Sequence, residues 1–194
     1  NLLLSHYPRQ RLDAESLRDS LLLLGGNLDR SEGKEQPFPA MVSWGFTQHN
    51  PFTAVYDSPR RSIYLMTQRL KRHPYLSLFD GADTNASTPR RQDTTVPTQS
   101  LFLMNDPFVH DQSAGLARRI LASENDDAAR IRLAYEIVLT HEPSPEDAAA
   151  DQAFLAQYRQ SLTADNSPAD QRELTAWSAL VRTLLTRNEF LFVD

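Results

Sequence analysis

The side chains best suited to chemistry crowd between Phe79 and Leu101. Asp80-x-x-Asp83-x-Asn85-x-Ser87 offers hard oxygen donors in a turn-rich stretch, and Arg90-Arg91 follows closely. Such donors suit calcium, with Asp80, Asp83 and Asn85 as ligands, although the spacing is not that of an EF-hand and no bidentate Glu closes it. The competing use is internal: the same acids accept hydrogen bonds from backbone amides and from Arg90 and Arg91. Arg90-Arg91 also has the fork geometry to clamp a carboxylate, sulfate or phosphate. A carbohydrate-active enzyme would instead use Asp80 or Asp83 as acid/base, with two carboxylates facing a cleft. The candidate binding set is Asp80, Asp83, Asn85, Arg90, Arg91, Thr94, Gln99, Asn105 and Asp106.

Other chemistries lack their residues. There is no cysteine, which excludes disulfides, thiolate zinc, iron–sulfur clusters, a cysteine nucleophile and thioether-bound haem in this chain. His6, His49, His73, His110 and His141 are far apart and show no zinc spacing. Ser62, Ser77 and Ser87 lack the G-x-S-x-G elbow. Gly25-Gly26-Asn27 is no phosphate loop. A net charge of −5, with 23% charged residues, gives no sign of a nucleic-acid binder. No apolar run is long enough to span a bilayer, and Leu2-Leu3-Leu4 is too short for a signal core.

The elements that must position the polar loop follow from local signals. Residues 12–24 read as a first helix with Asp13 as N-cap. Ala14, Leu17, Leu21 and Leu24 form its apolar stripe, and Gly25-Gly26 is its stop. Trp44, Phe46, Phe52 and Tyr56 are expected to pin an irregular segment onto the core. Residues 61–68 are the best strand candidate, with a hairpin partner at 53–56. Pro74 opens a short helix whose Tyr75, Leu76 and Phe79 face inward. Thr95 is expected to cap a helix through Gln99 to Met104, with Asn105 as its left-handed exit. Asp106-Pro107 is an N-cap followed by Pro at the first helical position. Ser144-Pro145-Glu146-Asp147 and Ser167-Pro168-Ala169-Asp170 repeat one start device. Val109, Ser113, Leu116, Ala117 and Ile120 share one face. So do Ile131, Ala134, Tyr135 and Val138, and further core positions are Phe154, Leu155, Tyr158, Leu162, Leu174, Trp177, Val181 and Leu184.

Read in order, the quoted stretches are similar to a known family. They are Arg11-Leu12-Asp13-Ala14-Glu15-x-x-Arg18-Asp19, Arg60-Arg61-Ser62-Ile63-Tyr64-Leu65, and Phe79-Asp80-x-x-Asp83-x-Asn85. Then come Pro89-Arg90-Arg91-x-x-Thr94-Thr95-x-Pro97-x-Gln99-x-Leu101-x-x-Met104-Asn105-Asp106-Pro107-Phe108, Arg132-x-Ala134-Tyr135 and Asn188-Glu189-Phe190-Leu191-Phe192-Val193-Asp194. The chain resembles the planctomycete-specific PSD domain, a domain of unknown function found C-terminal to a cytochrome-c-like domain in large exported proteins. Family members commonly carry a cysteine where this chain has Thr88, which argues against a thiol being essential here. The resemblance implies a periplasmic, cell-surface or secreted location, haem in a neighbouring domain and a link to polysaccharide.

The expected fold is mainly α. It comprises one domain over residues 1–194, with an irregular part at 1–95 holding the first helix, at most a short hairpin and an ordered polar loop. A bundle of about five helices fills 96–194. The expected function is a non-catalytic binding or scaffolding module of a multidomain exported protein, and the alternative is the carbohydrate-active enzyme. The chain itself is expected to hold no cofactor, calcium apart. Its expected partners are the other domains of its polypeptide and a polysaccharide or anionic ligand, with no nucleic acid and no membrane insertion.

Overall fold

A computed structural model describes residues 9–36 and 39–193. Leu2–Leu4, His6 and Asp194 lie outside the described residues, as do Pro37 and Phe38 of the loop after Gly33. The protein is mainly helical. Strand β1 (Gln10–Arg11) leads into α1 (Ala14–Gly25). Two 3-10 turns, Met41–Ser43 and Ser62–Tyr64, punctuate an irregular segment. Next come α2 (Pro74–Leu78), the polar loop and α3 (Pro97–Asn105). Then follow α4 (Pro107–Ser123), α5 (Asp127–Leu139), α6 (Pro145–Ala164), α7 (Ala169–Leu185), α8 (Asn188–Leu191) and β2 (Phe192–Val193).

The helix ends obey local chemistry. Asp13, Asp106, Asp126 and Ser144 each accept a backbone N–H of the first turn they open. Gly26 takes φ +78° and closes α1 through bonds to Leu22 and Leu23 carbonyls. Three expected devices differ. The N-cap of α3 is Val96, not Thr95, and Gln99 Oε1 accepts the Val96 N–H at 3.4 Å. Asn105 is not a left-handed exit, because α3 runs through extended Asp106 straight into α4. Ser167 does not cap α7. Its N–H closes α6 on Leu162 O after Asn166 at φ +54°, so the chain needs that residue to end one helix.

The predicted strand at 61–68 and its partner at 53–56 do not form. A strand needs a ladder, and here the Ser62 N–H goes to Asp19 Oδ1 while the Leu65 N–H turns back to Ser62 O. Ser62, Leu65 and Met66 are buried while Ile63 is exposed, so the β-rich composition serves packing rather than pairing. The strand pair joins the two ends of the described chain instead: Arg11 pairs with Phe192 and Gln10 with Val193, antiparallel.

Helix α4 is the centre of the bundle. It packs against α7 on one side and α1 on the other, while α6 packs against α7 and α5 touches α4, α6 and α7. One hydrophobic cluster runs from Ala14 to Phe190, so α1 belongs to the same core as the helices after residue 96. Trp177 is fully buried, its Nε1 donating to Glu173 Oε1 at 3.1 Å. The α1–α4 crossing is close because both faces carry glycine: a Cβ on Gly115 would sit 2.2 Å from Gly25 O. Trp44, Phe46, Phe52 and Tyr56 do not join this core. They pack on one another, with ring centroids 5.0–6.3 Å apart, and Trp44 and Phe46 stay exposed. Among the described residues no helix is long and apolar enough to cross a membrane.

Candidate functional site

The polar loop is organised by an arginine from far away in sequence. Arg11, held in place by the β1–β2 pair, sends its guanidinium under the loop. Its Nη2 donates to Asp80 Oδ2 at 2.6 Å and to Phe79 O at 3.4 Å; its Nη1 donates to Gln99 Oε1 at 3.1 Å and to Thr94 O. Nε lies 3.3 Å from Asp93 Oδ1, an ion pair that lacks hydrogen-bond geometry. Asp80 also accepts the Thr94 N–H at 3.0 Å and the Thr94 hydroxyl at 2.8 Å. Gln99, nearly buried, donates to Leu78 O at 2.9 Å. Three residues of the candidate binding set, Asp80, Thr94 and Gln99, therefore meet in one knot.

Asp80 occupies a position usually given to glycine. The 2.6 Å bond from Gly81 N to Leu76 O closes α2 as a Schellman turn, and Asp80 is its left-handed residue at φ +60°. An L side chain there costs roughly 1–2 kcal/mol, least for Asp and Asn. The carboxylate's bonds to Arg11 and Thr94 offset that cost. Burial works to raise the Asp80 pKa, but the hydrogen bonds from Thr94 and Arg11 outweigh it and hold the carboxyl below the ordinary range.

The other loop residues go elsewhere. Asp83 accepts the Asn85 N–H at 2.9 Å and pairs with Arg72. The Asn85 N–H first, then Arg72, keep its pKa low. Asn85 Nδ2 donates to Arg69 O at 2.9 Å. The three residues considered for calcium thus point to three different sets of partners. Among the described residues no group of three or more His, Asp or Glu is placed to hold a metal. Arg91 forks onto Glu15 at the start of α1, with Nη2–Oε1 at 3.0 Å. Arg90 is exposed and meets no side-chain partner among the described residues. The expected Arg90 pair is therefore replaced by Arg11. Asn105 is exposed and donates to Leu101 O at 3.0 Å, and Asp106 caps α4.

Asp106 also lies on the rim of a cleft that sequence reasoning did not single out. The cleft measures about 760 Å3, inside the range of small-ligand sites. It runs among the 55–59 segment, the start of α2 and the α3–α4 junction. Arg18 is buried in its lining, with the guanidinium 5.4 Å from the Phe108 ring centroid. It donates to Arg60 O at 3.3 Å, to Ser62 Oγ at 3.2 Å and to Ser58 O at 2.5 Å. His73 and Tyr75 are both 6% exposed, and neither ring nitrogen of His73 nor the Tyr75 hydroxyl has a hydrogen-bond partner. Burial, then Arg18, lowers the His73 pKa, so this imidazole is neutral at pH 7. Burial pushes the Tyr75 hydroxyl far up, so it keeps its proton. A clue to this cleft existed in the sequence: Arg18 interrupts the apolar stripe of α1, between Ala14 and Leu21.

A family model described as PSD1, protein of unknown function (DUF1553), matches residues 1–155. The chain belongs to this family. The match covers the Arg11–Asp80–Thr94–Gln99 knot and every residue of the cleft, and it ends inside α6. No curated protein matches the chain, and no solved structure does.

Proposed function

We propose that this chain is a non-catalytic binding module of a multidomain, exported, cytochrome-associated bacterial protein. The observation that carries the reading is the state of the loop acids. An acid/base pair needs a carboxyl free to take and give a proton, at a separation set by the substrate. Asp80 is tied to Arg11 and Thr94, and Asp83 to Arg72 and the Asn85 amide. Each pairing favours the permanently ionised form, which makes a poor proton donor at neutral pH. The loop's polar side chains hold the loop itself, by satisfying backbone groups that have no ladder. The exported setting and the haem-bearing neighbour come from the resemblance to planctomycete PSD domains. This chain has no cysteine, so it does not itself attach haem by thioether bonds, which need thiols.

The test is turnover. The purified chain is incubated with laminarin, carboxymethylcellulose and pectin, and new reducing ends are followed over time. The reading expects none above a boiled control. Sustained release that disappears in Asp80→Asn or Asp83→Asn, with the variant still folded by circular dichroism, would overturn it.

A further inference from the structure

We propose that the cleft beside Arg18, His73 and Tyr75 binds an uncharged polyhydroxylated ligand, such as one or two neutral sugar rings. The inference rests on reading the chain as a binding module, and it assigns the place and the chemistry of binding.

The orphaned polar atoms set the chemistry. Leaving a buried polar group without a partner costs about 1–3 kcal/mol. Two such residues, both 94% buried, are among the residues that line one cleft. A neutral imidazole has one N–H to give and one lone pair to fill, and the tyrosine hydroxyl both gives and accepts. A carboxylate or phosphate only accepts, and an ammonium only donates. A hydroxyl does both, so neighbouring hydroxyls satisfy His73 and Tyr75 together.

Charge and shape narrow the class in the same direction. Asp57, Asp106 and Asp111 line the cleft and oppose an anion. Arg18, buried beneath, opposes a cation, and three of its five N–H donors are taken by Ser58, Arg60 and Ser62. Phe102 and Phe108 supply half-buried ring surface for the C–H face of a sugar. Part of the wall is the segment from Val55 to Pro59, which forms no helix or strand, and a hydroxyl reaches the enclosed atoms only if this wall gives way. A second groove, about 600 Å3 between α1, the end of α5 and β2, contains none of these orphaned polar atoms.

The test uses cellobiose, xylobiose, maltose and trehalose as neutral probes, with galacturonate and glucosamine as charged ones. Amide NMR shifts are recorded for the wild type and for Tyr75→Phe, which removes only the hydroxyl. At least one neutral sugar is expected to shift the amides around Tyr75 and Phe108 saturably, more strongly than either charged sugar. Tyr75→Phe should lose about tenfold in affinity, the equivalent of one hydrogen bond. It should melt no lower than the wild type without sugar, because it deletes an unpartnered buried hydroxyl. A hydroxyl with a purely structural role would lower the melting temperature and leave affinity unchanged. The proposal is overturned if no neutral probe binds up to about 10 mM, well above a weak millimolar Kd, if a charged probe binds better, or if Tyr75→Phe binds like the wild type. Each of those results leaves the absence of turnover standing, so failure here is distinct from failure of the module reading.

Discussion

Replacing Arg11 by Met keeps the aliphatic stem and removes the guanidinium that organises the polar loop. Its side chain is 7% exposed and that of Asp80 12%, so solvent screens the pair weakly. Removing one member of a buried pair costs about 3–5 kcal/mol, because the other charge stays enclosed. Asp80 would keep its bonds from the Thr94 amide and hydroxyl, which moves the figure toward the lower end. Gln99 Oε1 and the Phe79 and Thr94 carbonyls would lose a donor, at about 1 kcal/mol for each net bond, which moves it back. We expect a loss of about 3–4 kcal/mol. In a chain of this size that lowers the melting midpoint by about 6–16 °C. Urea unfolding of Arg11→Met, Asp80→Asn and the double variant completes the cycle. The double variant should be less destabilised than the sum of the singles by about 1 kcal/mol or more. Arg90→Ala, at an exposed site, should stay within about 0.5 kcal/mol of wild type. The acid limb adds a second check. Asp80 is depressed in the folded state, so its contribution is complete above the unfolded value of about 4 and is lost as pH falls through the lower folded value. Arg11→Met should therefore lose less stability than wild type over that fall. A loss below about 1 kcal/mol for Arg11→Met, or singles that add within about 0.5 kcal/mol, would show that Arg11 does not hold the loop.

Two further outcomes test the bundle. Gly115→Ala should destabilise by about 1–3 kcal/mol despite alanine's better helix propensity, because the new Cβ meets Gly25 O at 2.2 Å; a neutral or raised urea midpoint would mean that α1 and α4 separate freely. Asp151 lies in the core with Oδ2 unbonded, and burial raises its pKa more than the nearby Tyr135 hydroxyl lowers it. Its folded form therefore holds a proton more tightly than the unfolded chain, and the cost of ionising it appears as pH rises above about 4. Asp151→Asn should raise the melting temperature at pH 7 and lose that advantage near pH 3; an equal effect at both pH values would count against a buried charge as the cause.

What was legible in the sequence was what a few neighbouring residues decide. Asp13, Asp106-Pro107 and Ser144-Pro145 announce helix starts because an N-cap acts on amides two or three residues away. The apolar faces of α1, α4, α5 and α7 were readable because one side of a helix repeats every three to four residues. The loop's role as an internally bonded polar hub was also visible in its mix of Asp, Asn, Thr and Arg. Its arginine was not. Arg90 and Arg91 are close to Asp80 in sequence, yet Arg11 reaches it, because the pairing of β1 with β2 brings the two ends of the described chain together and aims Arg11 beneath Phe79. Residues 61–68 have the composition of a strand, but Asp19 of α1 takes the Ser62 N–H and a 3-10 turn takes the Leu65 N–H, so no ladder forms. The cleft depended wholly on tertiary structure. Arg18, His73, Tyr75 and Phe108 come from three helices and a junction, and only the close packing of α1 on α4 at Gly25 and Gly115 sets them around one space. Local sequence fixes which residues are helical and which face is apolar; the depth at which two helices meet is a property of the pair, and it decides which polar groups are left facing each other.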